Sequence, residues 1–386
     1  MKILKLIFKN TLRHKLRTLL TIVGISIAVI AFSLLRTVVT AWYSGEKASS
    51  ANRLIVRQAV SFIFPLPYSY REKIANIPGV KQVTFANWFG GIYIDQSNFF
   101  ARMGVDADTY FDVYSEYVLP KDELDTFKKE RNSCVIGSEI AKKYHLKIGD
   151  VMTLQGDIYP GTWEFVVRGI YKPKYQSTDA TQMLFHWSYI DERMKQEMPG
   201  REGDVGWYVV YINDPSKAAS ISSQIDALFK NSPAETKTES ESAFQQGFIQ
   251  ASSAIITSMN FISFIIIGII MLVLGNTMIM AARERTREYA VLKTLGFSGK
   301  HLAGIIMGES LLISILGGGL GLLMSFPIIA GFAEVIPKGM FPVFTLEPIT
   351  VIIGVSAALI IGLVAAAFPI QRTLRTRIVE GFRFVG

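Results

Sequence analysis

The sequence has very few of the residues that build disulfide frameworks and metal centres. Its 386 residues include one cysteine, Cys134, which excludes an intramolecular disulfide. Four histidines, His14, His145, His186 and His301, are scattered along the chain and form no His-x3-His pair. Because metal sites need several closely placed ligands, we expect no metal site in this chain.

The chain also lacks the motifs of common catalytic sites. A phosphate-binding loop of the Walker A type requires Gly-x4-Gly-Lys followed by Ser or Thr, so that backbone amides surround the phosphate. The nearest string begins at Gly296 and has the wrong spacing and the wrong last residue. No Gly-x-Ser-x-Gly nucleophile motif occurs either. We therefore expect no catalytic residues, and ATP hydrolysis is not expected on this chain.

Positive charge is distributed unevenly along the sequence. The net formal charge is +8, yet residues 42–250 carry 23 Lys and Arg against 26 Asp and Glu, whereas the remainder carries 17 against 6. The excess of basic residues therefore lies beside apolar segments, where it faces anionic lipid and sets orientation. A pI near 9.3 consequently gives no reason to expect nucleic-acid binding.

Four long apolar segments predict a multi-pass membrane protein. Half of the residues are hydrophobic, and a span of about 20 apolar residues is long enough to cross the hydrocarbon region. A cleaved signal peptide is disfavoured for the first span, because its apolar run exceeds the usual length of about 7–15 residues and no small-residue cleavage site follows. The predicted membrane helices are 19–41, 254–281, 302–332 and 349–370.

Basic residues concentrate on one side of these spans. The flanks 1–18, 282–301 and 371–386 are rich in Lys and Arg, whereas the loop 333–348 carries only Lys338 as a cation. Cationic flanks mark the cytoplasmic side of a membrane. We therefore expect a protein of the bacterial cytoplasmic (inner) membrane with both termini in the cytoplasm and the segment between the first two spans outside it.

The segment 42–253 is predicted to form an α+β domain outside the cytoplasm. Alternating and helical apolar patterns repeat near its two ends and indicate one split βαβ lobe that is interrupted by a second lobe. Its outermost residues are predicted to extend the membrane helices as a stalk, with ordinary polar linkers as the alternative. The predicted parts are a split lobe over 54–101 and 206–237, an inserted lobe over 102–205, and stalk ends over 42–53 and 236–253.

A short charged segment between the second and third spans is the most distinctive stretch of the chain. Tyr289, Leu292 and Leu295 form an apolar stripe at helical spacing, and Gly296 lies where a helix C-cap would. The pattern predicts a short helix that docks against a partner. A basic amphipathic loop that only fixes the membrane topology is the alternative.

Four separated motifs together resemble one protein family. They are Leu16–Ala28, a strand-helix-Lys-x-Gly-Asp-strand pattern over Cys134–Leu154, the Arg-x-Arg-Glu-x3-Leu-Lys-x-Leu-Gly string over Arg285–Gly296, and Gly308–Gly321. Their order and positions resemble the FtsX-like/MacB-like ABC transporter permeases of the type VII ABC superfamily. MacB carries a fused ATP-binding domain, so the resemblance is to split members whose ATPase is a separate polypeptide.

The resemblance implies a fold and a set of partners. The fold is a membrane protein with four transmembrane α-helices and a large α+β extracytoplasmic domain inserted between helices 1 and 2. A second permease protomer, either the same chain or a related paralogue, would complete a dimer that binds a cytoplasmic ABC ATPase dimer. ATP and Mg²⁺ would be held by that ATPase, and this chain would bind no cofactor. Membrane lipid and a periplasmic adaptor, outer-membrane channel or chaperone are further implied partners.

The resemblance also assigns a role to the connection 282–301. Its polar residues would contact the ATPase and its apolar residues would fill a cleft there. ATP-driven motion would be relayed through the membrane helices to the external domain, a mechanism called mechanotransmission, for export or extraction of an amphiphilic substrate such as a lipoprotein, lipid, peptide or drug. The residues implied to dock are Arg287, Glu288, Tyr289, Leu292, Lys293, Leu295, Gly296 and Phe297.

Two alternatives stay open on the sequence. An FtsX-type regulator of a cell-wall hydrolase or a signalling partner, which moves no substrate, is the alternative function. Glu309 is the one acid inside a predicted span; it is either a proton relay or, as we favour, the partner of an Arg or Lys from the connection 282–301. No substrate-binding residues are assigned, because external aromatics such as Trp88 and Phe99 more often belong to a core.

Overall fold

A computed structural model describes residues 7–8, 10–11, 13–43, 49–175, 177–336 and 343–375. The predicted flanks 1–18 and 371–386, the stalk end 42–53 and the loop 333–348 therefore lie partly outside the described residues. The chain forms two compact units, one built around residues 41–252 and the other around the long apolar helices. We call these the domain unit and the membrane unit.

The secondary structure alternates long apolar helices with a strand-rich middle. The described α-helices are α1 (Lys15–Trp42), α2 (Tyr70–Ala75), α3 (Tyr110–Val113), α4 (Lys121–Lys129), α5 (Ser138–Tyr144), α6 (Trp187–Glu197), α7 (Ala218–Leu228), α8 (Glu241–Ala251), α9 (Ser253–Glu284), α10 (Thr286–Thr294), α11 (Gly299–Val335) and α12 (Pro348–Arg375). The described strands are β1 (Arg53–Gln58), β2 (Leu66–Pro67), β3 (Val80–Trp88), β4 (Ile92–Tyr93), β5 (Ala101–Val105), β6 (Tyr117–Val118), β7 (Ser133–Gly137), β8 (Val151–Gly156), β9 (Gly161–Pro173), β10 (Gln182–His186), β11 (Asp204–Val205), β12 (Trp207–Ile212) and β13 (Thr236–Ser240).

Four of the described helices, α1, α9, α11 and α12, are long and apolar enough to cross a membrane. They contain 28, 32, 37 and 28 residues respectively. At about 1.5 Å per residue, even the shortest reaches about 42 Å, which exceeds a hydrocarbon thickness of about 30 Å. The predicted fold of four apolar helices, with a large α/β domain between the first and the second, is confirmed.

Small residues let α11 approach its neighbours closely. Gly317 and Gly321 face α1, and a Cβ atom added at Gly321 would lie 2.8 Å from the carbonyl oxygen of Ser26. The Ser26 hydroxyl donates a hydrogen bond to the carbonyl of Gly317 at 2.9 Å. On the side of α12, the hydroxyls of Ser310 and Ser314 donate to backbone carbonyls of that helix. Close backbone contact and such hydrogen bonds hold helices together where lipid removes the hydrophobic driving force.

The two ends of the domain unit come together in one part of the sheet, which we call the split lobe. Strands β13, β1, β12 and β3 lie side by side in this order and all pair antiparallel. Helix α2 connects β1 to β3 through the small strand β2, and α7 connects β12 to β13. Apolar side chains from these strands and helices, among them Leu54, Tyr208 and Ile225, form one buried core. The lobe therefore depends on segments far apart in the sequence.

The inserted segment continues this sheet. Strand β3 pairs with β5 from Ala86↔Val105 to Trp88↔Met103, and the sheet then runs through β10, β7, β9 and β8 to β4. A second core, which includes Trp163, packs beneath this part. The predicted boundary between residues 101 and 102 thus falls at the start of β5. This strand pairs with β3, because the edge of β3 has backbone N–H and C=O groups that need hydrogen-bond partners.

The structure corrects the predicted stalk end 236–253. Its first residues form β13, which pairs with β1 and is followed by the separate helix α8. The hydroxyls of Thr236 and Thr238 both donate to the carboxylate of Asp226, at 2.9 and 2.7 Å. The sequence pattern missed this strand because its inward side chains are threonines that are satisfied by an acid on α7.

A buried ion cluster joins distant parts of the domain unit. Arg53, at the start of β1, contacts Glu241 of α8 at 2.8 Å and Glu116 of the inserted segment at 2.7 Å. Its guanidinium also lies 4.4 Å from the ring centre of Tyr114. Burial raises the pKa of Glu241, and the charge of Arg53 opposes that rise. The cluster fixes the first strand to the helix that follows the last strand.

We expect Gly321→Val to destabilise the membrane unit, because the new side chain would meet the backbone of α1. Overpacking of this kind costs about 1–3 kcal/mol. Gly319→Val is the matched control, since a Cβ atom at Gly319 meets nothing within 4 Å. The measurement is the thermal unfolding midpoint of the detergent-purified protein. Equal midpoints for the two variants would contradict a close contact between α1 and α11.

Candidate partner-docking site

Helix α10 connects α9 to α11 and ends in a fixed turn. The N–H of Phe297 donates to the carbonyl of Leu292 at 3.0 Å, and the N–H of Gly296 donates to that of Lys293 at 3.1 Å. Gly296 has a φ of +89°, a left-handed conformation that glycine adopts without a Cβ penalty. These two bonds form a Schellman motif, so Gly296 ends the helix as its position in the sequence predicts.

One face of α10 is buried within the membrane unit. The side chains of Tyr289 and Ala290 are covered, and Tyr289 is only 6% exposed. Tyr289 belongs to an apolar cluster with Leu302 and Ile306 of α11. Burial raises the pKa of Tyr289 to about 12. The expectation that Tyr289 docks against a partner is therefore wrong, because its own chain covers the ring.

The opposite face of α10 is exposed. Arg287, Val291 and Leu295 follow one another at four-residue spacing, and Val291 and Leu295 are 40% and 70% exposed. Phe297, held by the helix-ending turn, is 39% exposed. We call Arg287, Val291, Leu295 and Phe297 the exposed face of α10. Val291 was not among the predicted docking residues. It lies one helical turn before Leu295, so an apolar stripe drawn through Leu295 and not through Tyr289 would have included it.

The other predicted docking residues contact their own chain. Glu288 forms an ion pair with Arg13, just before α1. Leu292 is partly buried against the apolar cluster of the membrane unit. The ammonium group of Lys293 donates to the carbonyl oxygen of Thr373 at 2.9 Å, in the last turn of α12. A cation at this position stabilises the negative end of the helix dipole.

A buried ion pair fixes the junction of α9 and α10. The guanidinium of Arg285 contacts the carboxylate of Glu309 on α11 at 2.7 Å, and their side chains are 4% and 6% exposed. Arg285 also donates to the carbonyl oxygen of Asn10 at 2.7 Å. Glu309 therefore has a cationic partner from the connection 282–301, as we favoured over a proton relay. A carboxylate held in this way neutralises a charge that the surrounding apolar side chains could not solvate.

Large apolar side chains are also exposed on the domain unit. Val60, Ile63 and Phe64 project from the segment after β1, and the partly exposed rings of Trp88 and Phe99 lie 6.4 Å apart. Most external aromatics were expected in a core, as Phe89 and Trp163 are, but Trp88 and Phe99 are exposed. An exposed apolar group of this size is typical of a surface that contacts a partner or an apolar ligand.

The described residues offer no sign of metal or thiol chemistry. No group of three or more His, Cys, Asp or Glu in this part of the chain is arranged to hold a metal ion. Cys134 is completely buried in β7, and burial raises the pKa of its thiol. A buried neutral thiol of this kind behaves as a small apolar side chain.

Comparison with known families decides what kind of membrane protein this is. Residues 18–228, more than half of the chain, match the MacB-like periplasmic core domain, and residues 260–378 match the FtsX-like permease C-terminal domain. The chain belongs to the MacB/FtsX-type ABC transporter permeases. Membership in this permease family implies a partnering ABC ATPase, and ATP hydrolysis takes place on that separate chain.

Individual relatives align with different fractions of the length of this permease. An uncharacterized ABC transporter permease of Methanocaldococcus jannaschii is 23% identical and is aligned over 97% of this chain and 96% of its own length. An uncharacterized ABC transporter permease protein of Mycobacterium tuberculosis is 24% identical over 68% of this chain but only 30% of its own length. The crystal structure of the periplasmic region of MacB from Actinobacillus actinomycetemcomitans covers 52% of this chain and 94% of its own, with 14% identity and a TM-score of 0.37.

We expect Arg285→Met to destabilise the permease, because the carboxylate of Glu309 would stay buried without its counter-charge. Breaking a buried pair in this way costs about 3–5 kcal/mol. The double variant Arg285→Met with Glu309→Leu should recover most of the loss, since neither charge is then buried. Thermal unfolding of the detergent-purified protein measures both effects, and Arg287→Met, at a nearby exposed arginine, is the control. A single variant as stable as the control would contradict the ion pair.

Proposed function

We propose that this permease couples a cytoplasmic ABC ATPase dimer to its domain unit by mechanotransmission. In this proposal α10 lies in the bacterial cytoplasm and its exposed face inserts into a cleft of the ATPase. Binding of ATP and Mg²⁺ by the ATPase displaces α10, and the membrane helices relay the displacement. The observation that carries the proposal is that α10 combines an exposed apolar face with a buried face that is held against other helices of the membrane unit.

The exposed face of α10 has the chemistry of a protein interface. Leu295 and Phe297 follow the last residue of the helix, and Val291 lies one turn before Leu295. Burying an aliphatic or aromatic side chain of this kind contributes about 1.5–3 kcal/mol. Arg287 at the start of the same face can form a bidentate contact with a carboxylate of the partner. Such apolar anchors with a charged rim are typical of specific interfaces.

The buried contacts of α10 support the relay of force. Tyr289 belongs to the apolar cluster of the membrane unit, Lys293 donates to the last turn of α12, and Arg285 is paired with Glu309. A push on the exposed face would therefore move the ends of several membrane helices together. Packed helices behave as stiff elements and pass on displacement better than a flexible loop would.

The basic residues around α10 support the proposed orientation. Arg283, Arg287 and Lys300 surround the helix, and residues 13–17 add further cations beside the start of α1. Such residues are retained on the cytoplasmic side during insertion. We accordingly propose the bacterial cytoplasmic (inner) membrane, with both termini inside and the domain unit outside.

The exposed apolar residues of the domain unit support an amphiphilic substrate. Ile63 and Phe64 are exposed beside each other, and Trp88 and Phe99 form a second patch. Either patch could contact the apolar part of a lipoprotein, lipid, peptide or drug during export or extraction. Because the proposed ATPase is a dimer, a second permease protomer, either the same chain or a paralogue, would present a second copy of these surfaces.

We expect Val291→Asp with Leu295→Asp to abolish binding of the ATPase, because two charges would enter an apolar cleft. Binding is measured by co-purification with the partner ABC ATPase, co-expressed with the permease. The loss should be complete at the concentrations of a pull-down, since each buried aliphatic anchor contributes about 1.5–3 kcal/mol. Undiminished recovery of the ATPase would contradict the docking role.

The matched control is Val60→Asp with Ile63→Asp. These two residues are also exposed and aliphatic but belong to the domain unit. This variant should bind the ATPase as well as the unchanged protein does. Normal membrane insertion and thermal stability of both double variants would separate loss of docking from loss of folding.

Single-cysteine labelling tests the proposed orientation. The chain has one cysteine, so Cys134→Ser gives a cysteine-free background for Leu295→Cys or Val60→Cys, both at exposed positions. In intact cells whose outer layers admit the reagent, a membrane-impermeant maleimide should label the cysteine at 60 and leave the one at 295 unlabelled until the membrane is opened. Labelling of both positions in intact cells would exclude the relay across the membrane.

A further inference from the structure

A basic depression lies at the ends of α9 and α12, beside the buried face of α10. Three cations from three helices line it: Arg283 from α9, Lys293 from α10 and Arg372 from α12. The side chains of Thr286 and Thr373 complete its polar lining. None of the described residues that line the depression is Asp or Glu. It is therefore a positively charged hollow and not part of the exposed face of α10.

The three cations do not have the same function. Lys293 already donates to the carbonyl oxygens of Thr373 and Leu374, at 2.9 and 3.4 Å, so its charge is balanced in part by the end of α12. Arg283 is exposed, and its guanidinium has no ion pair or hydrogen bond among the described residues. Arg372, from α12, is the third cation that lines the depression. A guanidinium presents a planar set of donors that matches the oxygens of a phosphate.

The surface below the depression is apolar. Met280 lies one turn before Arg283 on α9, and Phe368 lies one turn before Arg372 on α12. Both are exposed, and both helices are of membrane-spanning length and hydropathy. In a bilayer, this arrangement would place the cations at the level of the headgroups and the two apolar side chains at the level of the upper acyl chains.

We propose that this depression binds the phosphate of an anionic phospholipid, with Arg283 and Arg372 as the binding residues and Lys293 as the group that fixes α10 to α12 beside them. A soluble phosphate would find the same cations but would leave Met280 and Phe368 without a partner. The bound lipid would join α9, α10 and α12 at the place where they converge. The inference requires only that α9 and α12 span the membrane, and it does not depend on docking of the ATPase.

The test measures lipid binding to the full-length permease in detergent by native mass spectrometry. The probes are phosphatidylglycerol, phosphatidylcholine and inorganic phosphate, titrated separately against the protein. We expect tighter binding of phosphatidylglycerol than of phosphatidylcholine. Each arginine near an anionic headgroup accounts for about a fivefold change in affinity, so Arg283→Gln with Arg372→Gln should weaken phosphatidylglycerol binding about 25-fold.

Two control variants separate a built site from general charge. Arg287→Gln with Lys300→Gln removes the same net charge at exposed positions that do not line the depression, and it should leave the lipid preference unchanged. Arg283→Lys with Arg372→Lys keeps the charge and should restore much of the binding. Thermal unfolding of each variant shows whether a loss of lipid binding comes from misfolding.

Several outcomes would overturn the inference. Equal affinity for the two lipids would exclude recognition of an anionic headgroup. An equal loss in the Arg287→Gln, Lys300→Gln control would show that only the overall charge matters. Competition by inorganic phosphate as strong as that by phosphatidylglycerol would assign the depression to a soluble anion. A lipid preference that survives in the Arg283→Gln, Arg372→Gln variant would place the lipid elsewhere. Failure of ATPase co-purification, by contrast, would leave this result untouched.

Discussion

The buried ion pair of Arg285 and Glu309 is the interaction on which the arrangement of the membrane unit depends most. Arg285 is the single residue between α9 and α10, so its position sets how the two helices meet. Its guanidinium is fixed from two directions, by the carboxylate of Glu309 and by the carbonyl of Asn10. Either charge alone would be strongly unfavourable in these surroundings, and together they attach the junction of α9 and α10 to α11. A loop of the same length without this pair would be free to turn.

Helix α10 has two faces with different surroundings. The buried face carries Tyr289 and Ala290 and belongs to the packing of the membrane helices. The exposed face carries Val291 and Leu295, whose burial would require another molecule. A helix that is packed on one side and exposed on the other can bind another protein while it stays packed against its own chain. The basic depression lies beside the buried face, so a bound lipid and a docked ATPase would not compete for the same residues.

In the domain unit, a different buried ion cluster holds together segments that are distant in sequence. Arg53 joins the first strand to α8 and to the inserted segment, by contacts with Glu241 and Glu116. One continuous sheet extends from β13 to β4, so the split lobe and the insertion share backbone hydrogen bonds. Side-chain cores on this sheet remain separate, with Trp163 in one and Tyr208 in another. A displacement applied to the ends of this unit would therefore reach the whole sheet and not only the split lobe.

The sequence alone determined the features that depend on local composition and periodicity. Lipid cannot satisfy backbone hydrogen bonds, so a span of apolar residues has to be a helix, and the four spans follow directly. Gly296 ends α10 because its left-handed conformation is a property of the residue itself. The family could likewise be inferred from motifs such as Arg285–Gly296, since their order is written in the chain. The split lobe was visible as two similar patterns at the ends of the domain.

Only the tertiary structure decided which side chains are covered. An apolar stripe through Tyr289 predicts a docking surface equally well as a packing surface. The apolar cluster of the membrane unit takes in Tyr289, whereas Val291 stays exposed. The basic flank offers several cations to Glu309, and the meeting of α9 with α11 selects Arg285. Strand β13 exists because β1 lies beside it. In each case the deciding neighbour is distant in sequence, and burial is a property of the assembled neighbours that no local pattern contains.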